Sequence, residues 1–162
     1  MPPLPDHMRA ARPTDHAAID ALLRAAFPSP AEAALVRALR EADAMEMELV
    51  LPDDSTLAGY LALCRMVEPV GWLALAPLAI APDWQGRGLG RRLTKAALKL
   101  AAIKGQTVVV LGAPGFYTRC GFSQPRAARL NSPYPLDHTL LFGPGDDSPA
   151  ATLRYPAAFA TL

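Results

Sequence analysis

One segment constrains the fold of this chain more than any other: an apolar strand that runs through a glycine-rich turn into an amphipathic helix. It occupies residues 78–92, which read LAIAPDWQGRGLGRR. Alternate glycines let backbone N–H groups approach an anion without interference from a Cβ atom, and the first turn of a helix adds unpaired donors and the positive end of its dipole. The segment therefore predicts a site for a phosphate-bearing ligand.

The spacing of these glycines excludes two common nucleotide-binding turns. A P-loop requires G-x-x-x-x-G-K-[ST], and a dinucleotide fold requires G-x-G-x-x-G, whereas Gly86, Gly88 and Gly90 are followed by two arginines. The spacing that fits is Q-x-x-G-x-G, formed by Gln85, Gly88 and Gly90. The segment is therefore neither a P-loop nor a dinucleotide-binding turn.

A second motif follows downstream, after a short apolar strand predicted at residues 106–111. Tyr117, Gly121 and Phe122 have the spacing Tyr-x-x-x-Gly-Phe and come after Gly112-Ala113-Pro114. With the order strand, phosphate helix, strand and tyrosine helix, the two motifs resemble the GNAT-type N-acetyltransferase superfamily, and among its members the predicted bacterial small acetyltransferases. Two spacings in the right order are much less frequent by chance than either alone.

The resemblance implies a fold and a cofactor site. The fold is an α+β domain with a central mixed, mostly antiparallel sheet, helices on both faces and a splayed strand pair at the cofactor site, and we expect residues 1–162 to form this single domain. The co-substrate is acetyl-CoA, with no metal. Its expected contacts are Leu78, Ala79, Ile80, Gln85, Gly86, Arg87, Gly88, Leu89, Gly90, Arg91 and Tyr117.

Pro77 is an anomaly in the strand that precedes the phosphate turn. Proline cannot donate to a strand ladder, so a central strand carries it only where pairing is broken by a bulge or by a diverging neighbour. The resemblance implies divergence, with the pantetheine arm of acetyl-CoA entering the gap beside Leu78, Ala79 and Ile80. An ordinary edge bulge is the alternative.

The chemistry implied is direct attack of an amine on the thioester in a ternary complex. A lysine-like amine must lose a proton, which costs roughly 4 to 5 kcal/mol at pH 7. The resemblance places a backbone N–H near Ile80 at the oxyanion and makes Tyr117 the acid that protonates the departing thiolate. For the general base, Glu32, Glu68 and a water molecule remain as candidates. Cys120 is expected to be a core residue.

Periodicity predicts the remaining elements. Thr14 is expected to cap a first helix with Asp15 in its first turn, and Ser29 to Glu32 to form a capping box at the start of a second. A further helix follows the phosphate turn. The predicted strands cover residues 7–13, 45–51, 56–66 and 72–81, and residues 140–142 and 152–155 are expected to form a late hairpin or two edge strands.

Charge and composition bound the class of protein. Net charge is +1 over 162 residues, yet residues 84–104 contain six Lys or Arg side chains and no acid, so the basic charge falls where phosphates are expected. Apolar segments are short for a bilayer, residues 1–6 are expected to be disordered, and Cys64 and Cys120 form no disulfide framework. The histidines show no metal spacing. We expect a cytoplasmic protein that binds neither nucleic acid nor membrane; homodimerisation stays open.

Two other functions remain open at this stage. The chain could sense acyl-CoA without turnover, which the presence of Tyr117 disfavours. It could also acetylate an RNA-linked amine, although no separate basic face is evident beyond the residues expected to bind phosphate. Acetylation of a primary amine of a small molecule or peptide is the favoured prediction.

Overall fold

The computed structural model describes residue 5, residues 7–54 and residues 56–161, the last of them by its backbone alone. The strands are β1 Arg9–Ala10, β2 Met45–Asp53, β3 Thr56–Arg65, β4 Leu73–Ile80, β5 Val108–Leu111 and β6 Thr139–Phe142. The α-helices are α1 His16–Ala26, α2 Ala31–Glu41, α3 Leu89–Ile103 and α4 Pro114–Cys120. The predicted disorder of residues 1–6 lies outside the described residues except at Pro5.

All six strands form one sheet in the order β1-β2-β3-β4-β5-β6. Pairing is antiparallel from β1 to β4 and again between β5 and β6, and parallel between β4 and β5. The parallel pair is joined through α3, as a crossover connection requires. The mixed, mostly antiparallel α+β architecture predicted from the sequence is therefore confirmed.

Helices cover both faces of the sheet because side chains alternate along its strands. On one face, Leu61 and Leu63 of β3 belong to the same buried cluster as Leu93 of α3. On the other face, Tyr60 of β3 is buried together with Ile19 of α1. None of the helices in the described part of the chain combines the length and apolar character needed to cross a bilayer.

The start of α1 differs from the prediction. A 3-10 turn over Pro13–Asp15 precedes the helix, so Thr14 is not its cap. The carboxylate of Asp15 caps this 3-10 turn: it accepts a hydrogen bond from the backbone N–H of Arg12 at 2.7 Å and pairs with Arg9 at 2.7 Å. Asp15 is also the residue before α1, but α1 has no side-chain cap of its own.

The predicted capping box at α2 is also wrong. The helix begins at Ala31 with Pro30 as its cap residue and has no side-chain cap. The hydroxyl of Ser29 accepts from the N–H of Ala31 at 3.3 Å, which closes a local turn and leaves Glu32 as the second residue of the helix. Proline at the cap position places the first helical turn one residue later than the capping-box spacing requires.

The C-terminal segment contains only one of the two late strands that alternation predicts. β6 pairs with β5 as an edge strand. Around residues 152–155 only isolated bridges form, between Thr152 and Asn131 and between Arg154 and Glu68. Leu153 and Tyr155 instead bury their side chains in the cluster that covers β4 and β5. Residues 152–155 therefore pack against the sheet and do not form a strand within it. Likewise, the strand predicted at residues 7–13 is limited to β1, which ends before the Asp15 turn.

Candidate functional site

The two parallel strands at the centre of the sheet separate part-way along β4. The strands pair only from Leu73 to Leu75 of β4, although β4 continues to Ile80. Pro77 lies two residues beyond the last pair. Since proline has no N–H to contribute, its position matches the point where β5 no longer provides a partner.

The other side of β4 is irregular at the same point. Leu75 faces Leu63 of β3, but Leu78 faces Leu61, so β4 has one residue more than β3 in this interval. The extra residue forms a bulge that includes Pro77. The predicted break is thus confirmed, and it combines a bulge against β3 with divergence from β5.

Backbone groups beyond the bulge face the gap. The N–H of Ala81 donates to the carbonyl of Ala58 at 2.8 Å, and hydrogen-bonded residues alternate along an antiparallel pair. Ala79 is therefore turned towards β3, whereas Leu78 and Ile80 present their backbone groups to the space that β5 has left. A bound extended chain would find strand-like partners at Leu78 and Ile80.

A tight turn connects this strand to α3. The Nε2 of Gln85 donates to the carbonyl oxygen of Ile80 at 3.0 Å and so closes the turn. Gly86 and Gly88 adopt left-handed conformations, with φ of 77° and 82°. A Cβ atom on either glycine would point into open space, so protein packing does not require glycine here. The left-handed backbone angle does favour it, and the lack of a side chain keeps the space in front of the helix free.

The first turn of α3 has no side-chain cap and contains no acid. Gly88 is the cap residue, and only backbone N–H groups and the positive end of the helix dipole face outward at this end. Gly90 is helical and keeps space open: a Cβ there would lie 3.5 Å from Phe116 and 3.6 Å from Leu78. The helix start is therefore built to accept an anion.

The strand gap and the helix start open into one cavity of about 380 Å³, which we call the α3 cavity. Nine of the predicted cofactor contacts line it, namely Leu78, Ala79, Ile80, Gln85, Gly86, Gly88, Leu89, Gly90 and Arg91. Sequence reasoning missed four other lining residues. These are Ala26, Phe27, Trp84 and Phe116. Phe116 was within reach of prediction, since it directly precedes Tyr117 in the second motif.

The basic residues near the turn have different surroundings. Arg91 is exposed and lines the α3 cavity, one helical turn before Lys95 and two before Lys99. Arg87, a predicted contact, is outside the lining and places its guanidinium 4.7 Å from the ring centroid of Trp84, where cation–π attraction holds it. Of these two arginines, only Arg91 lines the α3 cavity.

Tyr117 is held on α4 by aromatic contacts. Its ring meets those of Phe116 and Phe122 edge-to-face, with centroids 4.9 Å and 5.6 Å apart. Burial raises its pKa to about 12, with a smaller effect from Cys120. Among the hydrogen bonds of the described residues, none involves the Tyr117 hydroxyl. The phenol thus keeps its proton at neutral pH and has it available for a ligand.

The candidate bases lie elsewhere. Glu32 is half-buried at the start of α2 and Glu68 faces Arg154 at 4.0 Å, and neither lines the α3 cavity. Cys120 is buried, and burial raises the pKa of its thiol, which agrees with a core residue. The described lining of the α3 cavity contains no carboxylate and no imidazole.

A mixed sheet whose parallel strands part beside an uncapped, glycine-rich helix start defines a protein of the acyl-CoA-dependent transferase class. The family model described as Acetyltransferase (GNAT) family matches residues 16–122. The chain is also 40% identical over 120 residues to the uncharacterized N-acetyltransferase YhbS of Escherichia coli K12, across 71% of this chain and 72% of the relative. The chain belongs to the GNAT acetyltransferase family.

Solved structures support this family assignment. The crystal structure of E. coli YhbS in complex with CoA superposes with a TM-score of 0.88 at 32% identity, covering 99% of this chain and 94% of that one. A GNAT acetyltransferase from Brucella melitensis, solved in complex with acetyl-CoA, gives a TM-score of 0.79 at 30% identity, over 94% and 97% of the two chains. The protein is thus an acetyltransferase of this fold.

Proposed function

We propose that the protein transfers the acetyl group of acetyl-CoA to a primary amine of a small molecule or peptide, by direct attack within a ternary complex. The observation that carries this proposal is the α3 cavity, which joins the gap beside β4 to the uncapped start of α3. An extended arm with backbone-like amides suits the gap, and a pyrophosphate suits the helix start. CoA and acetyl-CoA in the E. coli and Brucella relatives support the assignment.

Each predicted contact then takes a part. The N–H groups at Gly88 and Leu89 and the guanidinium of Arg91 bind the pyrophosphate. Backbone groups of Leu78 and Ile80 pair with the pantetheine arm, whereas the backbone of Ala79 is engaged towards β3, so its contribution is the cavity wall. Gln85 acts by fixing the turn through the Ile80 carbonyl.

Gly86 and Gly90 keep the α3 cavity open, and Arg87 contacts acetyl-CoA from its stacked position on Trp84.

Acetyl transfer needs three groups around the thioester: a donor to the oxyanion, an acid for the thiolate and a base for the amine. The amine nitrogen forms a bond to the carbonyl carbon while a backbone N–H near Ile80 stabilises the oxyanion. The C–S bond then breaks, and the hydroxyl of Tyr117 gives its proton to the sulfur. Water takes the proton of the amine, since no carboxylate lines the described cavity; Glu32 remains the alternative base.

The second candidate is an acyl-CoA sensor that binds without turnover. The same lack of a carboxylate or imidazole in the described lining favours it. The two candidates differ in one measurable quantity, the release of free CoA thiol.

We place the protein in the cytoplasm, in keeping with its two free, buried cysteines, and treat residues 1–162 as one acetyltransferase domain.

The test is a turnover screen that reads free thiol with acetyl-CoA and a panel of amines, polyamines, amino acids, aminoglycosides and peptides. Calorimetry with acetyl-CoA runs in parallel on the same preparation. Thiol release that depends on one amine class supports catalysis. Acetyl-CoA binding with no release from any amine overturns catalysis in favour of sensing, and absence of binding overturns both.

A further inference from the structure

A second cavity of about 280 Å³ begins where β4 and β5 part. Its walls come from Ala76 of β4 and Leu111 of β5, and from the aromatic rings of Tyr134, Tyr155 and Phe159. We call it the aromatic cavity. None of the sequence motifs points to it, because Tyr134, Tyr155 and Phe159 lie in the C-terminal third of the chain, outside those motifs.

The aromatic cavity and the α3 cavity meet at the bulge. Residues 74–76 of β4 line the first, and residues 78–80 line the second, so only Pro77 separates them, a distance of about 7 Å along a strand from Ala76 to Leu78. The cavities open on opposite faces. Ala76 packs with the cluster around Tyr155, whereas Leu78 packs with the cluster of α3.

Among the described residues, the lining of the aromatic cavity carries no charged side chain. Tyr134 and Tyr155 lie edge-to-face with centroids 5.0 Å apart, and Tyr155 and Phe159 are 5.1 Å apart. The Tyr155 side chain is only 9% exposed, and its buried hydroxyl has no hydrogen-bond partner among the described residues. A buried hydroxyl without a hydrogen-bond partner is uncommon in the packed core of a protein.

An apolar pocket has a chemical consequence for an amine. Removal from water disfavours the charged ammonium and lowers its pKa, so a larger share of the bound amine is the neutral nucleophile. The pocket can therefore assist deprotonation where the described lining provides no carboxylate. The same effect penalises an acceptor with several ammonium groups, since each further charge would be buried without a counter-ion.

We propose that the aromatic cavity binds the acceptor, and that the acceptor is a primary amine carried by an apolar or aromatic group, while polycationic amines are excluded. This inference rests on the proposed acetyl transfer and adds the substrate class to it. The apolar group fills the space between Tyr134 and Phe159, and the amine points past Ala76, through the gap beside β4, towards the thioester near Ile80.

The experiment compares kcat/KM for 2-phenylethylamine and 3-methylbutylamine with values for spermidine and kanamycin, at saturating acetyl-CoA. We expect the two apolar amines to exceed the two polycations by about tenfold or more. Leu111→Glu places a carboxylate in the half-buried wall, and we expect it to reverse the order of 2-phenylethylamine and spermidine. The matched control is Val70→Glu, at a side chain that is 92% exposed, which should keep the wild-type order.

Tyr134→Ala provides a second variant at a half-buried wall position. It should raise KM for 2-phenylethylamine while acetyl-CoA affinity stays unchanged. A higher kcat/KM for spermidine or kanamycin in the wild type, or an unchanged KM in folded Tyr134→Ala, overturns the inference and leaves acetyl transfer standing. Acetyl-CoA binding without thiol release from any amine overturns acetyl transfer itself.

Discussion

The ring of Tyr117 lies directly against the backbone of Gly112. A Cβ atom at residue 112 would overlap Cε2 of Tyr117 and lie 3.1 Å from its Cδ2. Gly112 is itself fixed, because its N–H donates to the carbonyl of His138 at 3.0 Å. The glycine that directly follows β5 therefore sets the position of the phenol on α4.

Gly112→Ala should displace the Tyr117 ring and lower kcat, while leaving acetyl-CoA affinity nearly unchanged because neither residue lines the α3 cavity. A misplaced catalytic group typically costs about 10²-fold in rate. The matched control is Gly115→Ala in the same segment, where a Cβ would meet only Arg119 at an ordinary 3.7 Å. Equal kcat values for the two variants would separate Tyr117 from the reaction.

Tyr117→Phe tests the phenol itself. The ring and its contacts with Phe116 and Phe122 remain, but the transferable proton is lost, so kcat should fall by about 10² to 10⁴ with little change in acetyl-CoA affinity. Because the pKa of Tyr117 is raised to about 12, the wild-type phenol stays protonated well above pH 10. Steady-state kinetics should thus show no alkaline loss from this group below about pH 11. A kcat within about threefold of wild type would assign leaving-group protonation to water.

Gly88→Val should abolish acetyl-CoA binding, because the side chain would occupy the open space in front of the α3 N-terminus. Backbone strain is a competing explanation, since residue 88 has a φ of 82°. Gly105→Val is the matched control: that glycine has a φ of 64° and no neighbour within 4 Å of a Cβ, and it lies outside the α3 cavity. Calorimetry should find binding lost only in Gly88→Val. Unchanged affinity in folded Gly88→Val would contradict the phosphate assignment.

Acetyl-CoA affinity should decrease as ionic strength rises, since exposed charges at a phosphate site are screened by salt. Arg91→Gln should weaken binding by about tenfold and flatten this salt dependence, as loss of a charge-assisted hydrogen bond predicts. Lys99→Gln is the control two helical turns away on the same exposed face. If titrations at low and high salt give the same affinity, the adenine ring of acetyl-CoA, and not its phosphates, dominates binding.

The sequence was most informative where local rules determine the structure. The glycine spacing after the strand that ends at Ile80 predicted the phosphate turn up to Gly88, and apolar periodicity predicted α3 as well as β2 to β4. Pro77 was useful because a proline in a central strand has few structural explanations. These features depend on neighbours in the chain, which a single sequence displays directly.

Features that depend on distant contacts were not predictable. Leu153 and Tyr155 alternate with Thr152 and Arg154 as they would in a strand, but the residues of β4 and β5 that they pack with are far away in sequence. Phe27 lines the α3 cavity only because α1 ends beside the phosphate turn. The Thr14 cap failed for a related reason: the residue before α1, Asp15, is held in a 3-10 turn by its pairing with Arg9 on β1.

Asp15 links β1 to the 3-10 turn that precedes α1. Both oxygens of its carboxylate accept from the guanidinium of Arg9, at 2.7 and 2.9 Å, and one also accepts from the N–H of Arg12. These hydrogen bonds, led by that of Arg9, hold the pKa of Asp15 well below its ordinary value. The folded state therefore favours the ionised carboxylate.

Asp15→Asn should lower the free energy of unfolding by about 1 to 2 kcal/mol at pH 7, because the charge-assisted hydrogen bonds between Arg9 and the carboxylate are replaced by weaker ones to a neutral amide. Because the pKa is lowered in the folded state, this stabilisation is complete above the unfolded value of about 3.9 and is lost as pH falls below it. The difference between wild type and Asp15→Asn in urea unfolding should thus shrink from pH 7 to pH 3. Asp20→Asn, at a partly exposed carboxylate of α1 that pairs with the exposed side chains of Arg24 and Arg37, should cost about 0.5 kcal/mol or less. A pH-independent difference for Asp15→Asn would show that shape, not charge, accounts for its effect on α1.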